Sequence, residues 1–187
     1  LPVVEPLIAD REDHRIDHQT AGPLPADIKV TAPTYRLDLG ELHCLSVNRG
    51  TLTAEERFLI NNHIVQTIIM LRGLPFPEYL KDVPDIAGNH HEHLDGTGYP
   101  RGLEAAAMIP QARMMAIADI FEALTASDRP YKLGKPLSEA VTLLAGYVRM
   151  GHLDRDLFEL FLREGVHLRF AQRFLDARQI DAVDIEA

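Results

Sequence analysis

A single cysteine, Cys44, stands in the 187 residues, so no intrachain disulfide framework holds this fold. No apolar run reaches the roughly 18 residues of a membrane span, which excludes a helical transmembrane segment. Basic residues are scarce: 19 Lys and Arg face 28 Asp and Glu, for a formal net charge of −9. Such a surface repels nucleic-acid backbones and anionic membranes, and no local basic stripe counters it, so a nucleic-acid polymer is not an expected partner. A small anionic ligand stays open. Internal repeats and low-complexity runs are missing too. With one cysteine and no membrane span the chain is expected to be cytoplasmic, and its opening on Leu1 without a charged-then-apolar leader reads as a fragment or as a chain that has lost residues. What is present is enough apolar side chain, 46% of residues, to bury one sizeable core.

Residues 1–45 carry five prolines, Pro2, Pro6, Pro23, Pro25 and Pro33, and no sustained helical period. That predicts an irregular or short-stranded arm, or the remnant of an upstream domain, ahead of a helical domain over 46–187. Thr53-Ala-Glu-Glu56 has the form of a capping box, and Ile60, Ile64, Thr67, Ile68 and Leu71 follow at helical spacing, predicting a helix over 54–72. Leu74-Pro-Phe-Pro77 breaks it. A second helical stretch over 83–91 leads into Asp95-Gly-Thr-Gly-Tyr-Pro100, which must be a loop. Pro110 suits the first turn of a helix, and 112–126 is so rich in Ala, Met, Ile and Leu that a helix buried on most sides is expected. Amphipathic helices over 138–150, 154–164 and 166–177, with Gly165 capping the middle one, complete an all-α bundle. Leu157, Phe158, Phe161, Leu162, Phe170 and Phe174 are expected to fill its core, and a spare face there is a candidate homodimer surface.

His90 and His91 end the 83–91 stretch, where neighbouring helical positions point about 100° apart and suit two adjacent metals better than one. His63 falls between Ile60 and Ile64, on or beside the apolar face, where an imidazole must be hydrogen-bonded or bound to something. Asp119 lies among Ile117, Ala118, Ile120 and Phe121, where an ionised carboxylate is costly without a cation. Taken singly, a surface pair or a satisfied core histidine is the more ordinary outcome. Taken together, three histidines and an aspartate on three helices form a mixed nitrogen and oxygen set suited to iron, manganese or zinc. A metal held so makes water a ready phosphoester nucleophile. Arg129 and Lys132 follow the helix of Asp119 and suit a phosphate, or else an ordinary solvated turn. Gly96 and Gly98 permit positive φ or a close approach, and Tyr99 with Pro100 offers a stacking surface and rigidity. His43, Cys44, His93, His152 and His167 read as surface or capping residues.

Read as one segment, His90-His-Glu-His-Leu-Asp-Gly-Thr-Gly-Tyr-Pro100 resembles the HHExxDGxGYP motif of the HD-GYP family. The likeness continues through Gly50-Thr-Leu-Thr-Ala-Glu-Glu56, Asn62-His63, Ile117-Ala-Asp-Ile-Phe-Glu-Ala-Leu124 and Asp128-Arg-Pro-Tyr-Lys132, about residues 45–165. The resemblance implies an all-α, HD-domain-like helical bundle and a metal-dependent phosphodiesterase of bacterial signalling that acts on cyclic di-GMP. It implies divalent ions, iron or manganese ahead of zinc, on His63, His90, His91 and Asp119. It also implies Arg129 and Lys132 as catalytic phosphate contacts, and Gly98, Tyr99 and Pro100 beside the substrate, with Glu92 and Asp95 supporting the loop.

The chain departs from that pattern upstream. The family's His-Asp dyad is missing: the stretch where it belongs reads Thr34-Tyr-Arg-Leu-Asp38, and no His-Asp dipeptide occurs in the sequence. His14 and His18 are the upstream histidines that would share a face if a helix formed there. The alternative reading is therefore the same fold serving as a regulatory module that binds a cyclic dinucleotide or a signalling-protein partner without hydrolysis.

Overall fold

Among the described residues before 50 the chain forms only short pieces, in keeping with its prolines. A 3-10 turn at Glu12–His14 precedes a ribbon in which β1 (Arg15–Ile16) pairs antiparallel with β2 (Leu37–Asp38), Arg15 opposite Asp38 and Ile16 opposite Leu37. The short helix α1 (Glu41–Leu45) follows, its first amides capped by Asp10, whose Oδ1 accepts from the backbone N–H of Leu42 at 2.9 Å and of His43 at 3.1 Å. His14 and His18 do not share a helix face: one ends the 3-10 turn, and the other lies past β1, with its Nε2 donating to the Pro33 carbonyl at 2.9 Å. This computed structural model describes residues 8–18, 24–48, 50–127 and 134–183.

The helix α2 (Ala54–Arg72) begins at the predicted capping box: the Glu56 amide donates to Thr53 Oγ1 at 3.2 Å, and the Thr53 amide donates to Glu56 Oε2 at 2.9 Å. Two amides otherwise left without partners are satisfied reciprocally. Ile64, Val65 and Ile68 are buried, whereas Ile60 is exposed, so the core-facing stripe is narrower than the apolar spacing implied. The following helix, α3 (Val83–Gly88), ends three residues before the expected limit. Gly88 is pressed onto α2, where a Cβ would sit 2.6 Å from Ile68 Cγ1. Asn89 then turns the chain, its carbonyl accepting from the Glu92 amide at 3.0 Å.

The second half stacks α4 (Pro110–Thr125), α5 (Leu137–Arg149), α6 (Arg155–Arg163) and α7 (Val166–Phe174). Pro110 occupies the first turn of α4, Asp154 caps α6 by accepting from the Leu157 amide at 3.1 Å, and Gly165, at φ 64°, lets the chain reverse from α6 into α7. The main core joins Ile117 and Phe121 of α4 to Leu137 and Leu144 of α5 and to Phe158 and Leu162 of α6. Burial of each such aliphatic or aromatic side chain stabilises the bundle by about 1.5–3 kcal/mol.

Several expectations need correction. The helix α4 is not buried on most sides: Ala112, Ala116, Ile117 and Phe121 face inward, while Met114 and Met115 are 48% and 42% exposed. Phe174 is exposed, and α7 stops there because Asp176 caps a separate 3-10 turn, Ala177–Gln179. His167, read as a surface or capping residue, has no exposed area, and neither ring nitrogen is in a well-formed hydrogen bond. The architecture is all-α, with one two-stranded ribbon among the described residues. None of these helices is long and apolar enough to cross a membrane.

Candidate metal centre

Three elements bring four side chains to one place. His63 comes from the middle of α2, His90 and His91 from the turn after α3, and Asp119 from α4. The ligating atoms of the three histidines lie within 4.8 Å of one another. His91 Nε2 is 3.3 Å from His63 Nε2, and His91 Nδ1 is 3.9 Å from Asp119 Oδ2. The two neighbouring histidines were expected to diverge along a helix; instead their ring centroids are 4.2 Å apart, because α3 has ended and the turn at Asn89 folds both rings inward.

Local hydrogen bonds fix the tautomers. His63 Nδ1 faces the Ile60 carbonyl at 2.5 Å, and His90 Nδ1 faces the Ala87 carbonyl at 2.8 Å. A carbonyl only accepts, so each Nδ1 carries the proton and each Nε2 is left with the lone pair a metal needs. His91 is held neutral, its pKa brought down to about 4 by burial first and by the neighbouring His90 second, with Asp119 opposing. Protons therefore compete little for His91 at neutral pH.

His63 is exposed rather than set into the apolar face, and the Asp119 side chain is 39% exposed. Desolvation of Asp119 is thus not the argument for a cation. Asp119 belongs to the outward side of α4, which with Thr67, Ala87, His90 and Phe170 lines a cleft of about 540 Å³. A cation is favoured instead by the nearness of the Asp119 carboxylate to His91 and by its sharing the cleft with His90.

The loop after the histidines is held from beneath by Glu92, which is 1% exposed and accepts from the amides of Arg101 at 2.6 Å and Leu103 at 2.8 Å. Gly98 runs against this segment so closely that a Cβ would lie 2.2 Å from the His93 amide nitrogen. The contact leaves no room for a side chain. Tyr99 stacks on His91, its amide donates to the His91 carbonyl at 3.2 Å, and the Pro100 carbonyl accepts from the Lys29 amide at 2.8 Å.

Arg101, which belongs to no motif legible in the sequence, fastens the whole assembly. Its guanidinium, 11% exposed, bonds Asp85 at 2.8 Å, pairs with Asn89 Oδ1, and lies 3.6 Å from Asp27. Asp27 also takes a bidentate pair from Arg72 at 3.0 and 2.6 Å, which holds its carboxyl down at about 2. Arg129 and Lys132 lie outside the described residues.

The chain belongs to the HD domain family, which matches it over residues 2–157. The HD-GYP resemblance of the segment from His90 to Pro100 agrees with its similarity to characterised members. Over 129 residues it is 38% identical to the 3'3'-cGAMP-specific phosphodiesterase 1 of Vibrio cholerae, covering 67% of this chain and 29% of that protein. Over 114 residues it is 39% identical to a cyclic di-GMP phosphodiesterase of Pseudomonas aeruginosa, covering 61% of this chain and 26% of that protein. A cyclic di-GMP phosphodiesterase of Thermotoga maritima is 36% identical over 117 residues, covering 61% of this chain and 31% of that protein. The chain spans less than a third of the length of these three relatives.

Proposed function

We propose that this chain is the phosphodiesterase unit of a bacterial signalling protein, a metal-dependent domain of HD-GYP type that hydrolyses a cyclic dinucleotide, cyclic di-GMP first among the substrates. The observation that carries the reading is the convergence of His63, His90 and His91, with ligating atoms within 4.8 Å, at the edge of a cleft of about 540 Å³ that also presents Asp119. Pockets of roughly 300–1,000 Å³ are the usual size for a bound small molecule. The donor set, three imidazoles with a carboxylate close by, fits a divalent transition metal, and iron or manganese is proposed ahead of zinc. Bound there, such a metal supplies Lewis-acid polarisation of the phosphodiester and of water.

The chain's own groups do the rest. The carbonyls of Ile60 and Ala87 hold the protons on His63 Nδ1 and His90 Nδ1, so both Nε2 atoms stay available. Tyr99 covers one face of His91 and limits solvent there. Gly98, Tyr99 and Pro100 are proposed to border the substrate, and Glu92 fixes the backbone that carries them. Arg129 and Lys132 are assigned to the phosphate charge from sequence alone, as positive groups that favour the transition state.

A second reading is favoured by one observation: no His-Asp dipeptide occurs in the chain, so the ligand set is smaller than the family's motif supplies. On that reading the domain binds a cyclic dinucleotide, or a signalling-protein partner, without hydrolysing it. Elemental analysis of anaerobically purified protein, with hydrolysis assays on cyclic di-GMP and 3'3'-cGAMP for the parent chain and for His90→Ala, separates the two. Two or more metals per chain with turnover that His90→Ala abolishes supports the enzyme. At most one metal and no turnover with added iron or manganese removes it in favour of the binding module.

A further inference from the structure

We propose a second metal site, sharing no residue with the first, formed by His93, Asp95 and His152, and suited to a borderline divalent cation of the zinc or cobalt class. The ligating atoms of these three side chains lie within 4.8 Å of one another. His93 and Asp95 stand on the loop leading to Tyr99, whereas His152 follows α5, past Gly151, whose φ of 77° turns the chain back toward that loop. The backbone brings the two segments together without the side chains: the Leu94 amide donates to the His152 carbonyl at 3.1 Å, and the His152 amide donates to the Tyr147 carbonyl at 3.0 Å.

Donor chemistry favours a cation here. The Thr97 hydroxyl donates its one hydrogen to Asp95 Oδ1 at 2.7 Å, so in its contact with His93 Nδ1, at 3.0 Å, it accepts. His93 therefore carries its proton on Nδ1, and Nε2 holds a free lone pair, an orientation of the kind that second-sphere partners impose on metal-binding histidines. The second carboxylate oxygen, Asp95 Oδ2, lies 3.6 Å from His152 Nε2. His152 Nδ1 is buried and has no hydrogen-bond partner, so no bond on that side holds the ring in place. Two imidazoles and one carboxylate leave a fourth position for water in a tetrahedral set. The two rings stack at 4.0 Å and 10°, and they must turn out of that stack to aim both lone pairs at one ion about 2.0–2.1 Å away. Uptake thus changes how the loop is tied to the turn between α5 and α6.

Because the proposal does not depend on hydrolysis, its test uses the full chain carrying His63→Ala and His90→Ala, which disrupts the first cluster. Zn²⁺ and Co²⁺ are titrated into this background and counted by native mass spectrometry, with calorimetry for affinity and circular dichroism to confirm the fold. One Zn²⁺ per chain is expected, weakened about tenfold or more on adding His152→Ala or Asp95→Asn. Co²⁺ is expected to show ligand-field absorption that disappears in the same variants. Asp95→Asn is nearly isosteric and keeps an oxygen for Thr97, so it decides the matter if His152→Ala fails to fold. No ion bound in the background chain, or equal affinity in the folded background and in Asp95→Asn, overturns the site.

Discussion

Tyr99 lies flat on His91, with ring centroids 4.9 Å apart and planes 17° from parallel. One face of an imidazole in the proposed metal set is thereby covered by the residue that the loop was expected to offer to substrate. Stacked aromatic pairs are worth about 0.5–1.5 kcal/mol beyond their buried area. Tyr99→Ala is expected to lower turnover or nucleotide affinity by up to about tenfold, while Tyr99→Phe keeps most of either. Steady-state kinetics, or nucleotide titration if the chain does not hydrolyse, reads the difference. A Phe variant as impaired as the Ala variant would mean that the hydroxyl, not the stack, matters.

Gly98 packs on the backbone of Glu92 and His93, and a methyl group has no flexible side chain to displace there. Gly98→Ala is expected to cost about 1–3 kcal/mol through overpacking. At roughly 2–4 °C per kcal/mol for a chain of this size, thermal denaturation detects it. Metal affinity should fall with stability, because the same backbone carries His91.

His43 Nε2 and Glu55 Oε2 are 2.9 Å apart, which gives a pH dependence remote from the metal cluster. The bond to Glu55 raises the pKa of His43 above 6.5, against the effect of burial. Burial pushes Glu55 up, but the bonds from His43, its own amide and Thr53 together outweigh it, so its pKa falls below 4.5. The histidine's contribution is complete below pH 6.5 and is lost as pH rises through its raised value; the carboxylate's is complete above pH 4.5 and is lost as pH falls through its lowered value. Stability from the pair therefore peaks between pH 4.5 and 6.5. Urea midpoints across pH 4–8 should show the parent losing its margin over His43→Ala toward the alkaline end; a constant margin would contradict the pairing.

His167 occupies the core with neither ring nitrogen in a well-formed hydrogen bond; burial lowers its pKa, and a weak hydrogen bond with the Phe161 backbone opposes that to a lesser extent. A buried polar group without a partner costs about 1–3 kcal/mol. His167→Leu, close in volume and without polar atoms, is expected to raise the melting temperature. A lower melting temperature would show that the nitrogens are satisfied in solution.

Short-range chemistry was legible in the sequence: the Thr53–Glu56 capping box, Pro110 in a first turn, Gly165 at a helix reversal, and the run from His90 to Pro100 all depend on neighbours within a few residues. The composition of α4 did not say which side of the helix is wet, so Asp119 was expected among apolar groups and is found facing a cleft. The helix α3 ends at Gly88, which packs against Ile68 of α2, a contact between helices that the local sequence does not encode. Arg101 gave no local signal: its partners Asp85 and Asn89 are 16 and 12 positions away, and Asp27 lies farther still.

Asp27 shares its carboxylate between Arg72 and Arg101, and the neighbouring Lys29 amide holds the Pro100 carbonyl. A chain shortened past Lys29 would release these fastenings together, leaving two guanidiniums without their common anion at the base of the Tyr99 loop. Arm and loop are thus fastened to each other, although the Lys29 side chain and the Gly102 carbonyl it reaches are 73 positions apart. Through Asp27 and Arg101 the arm is tied to Asn89, the residue at which the chain turns toward His90 and His91.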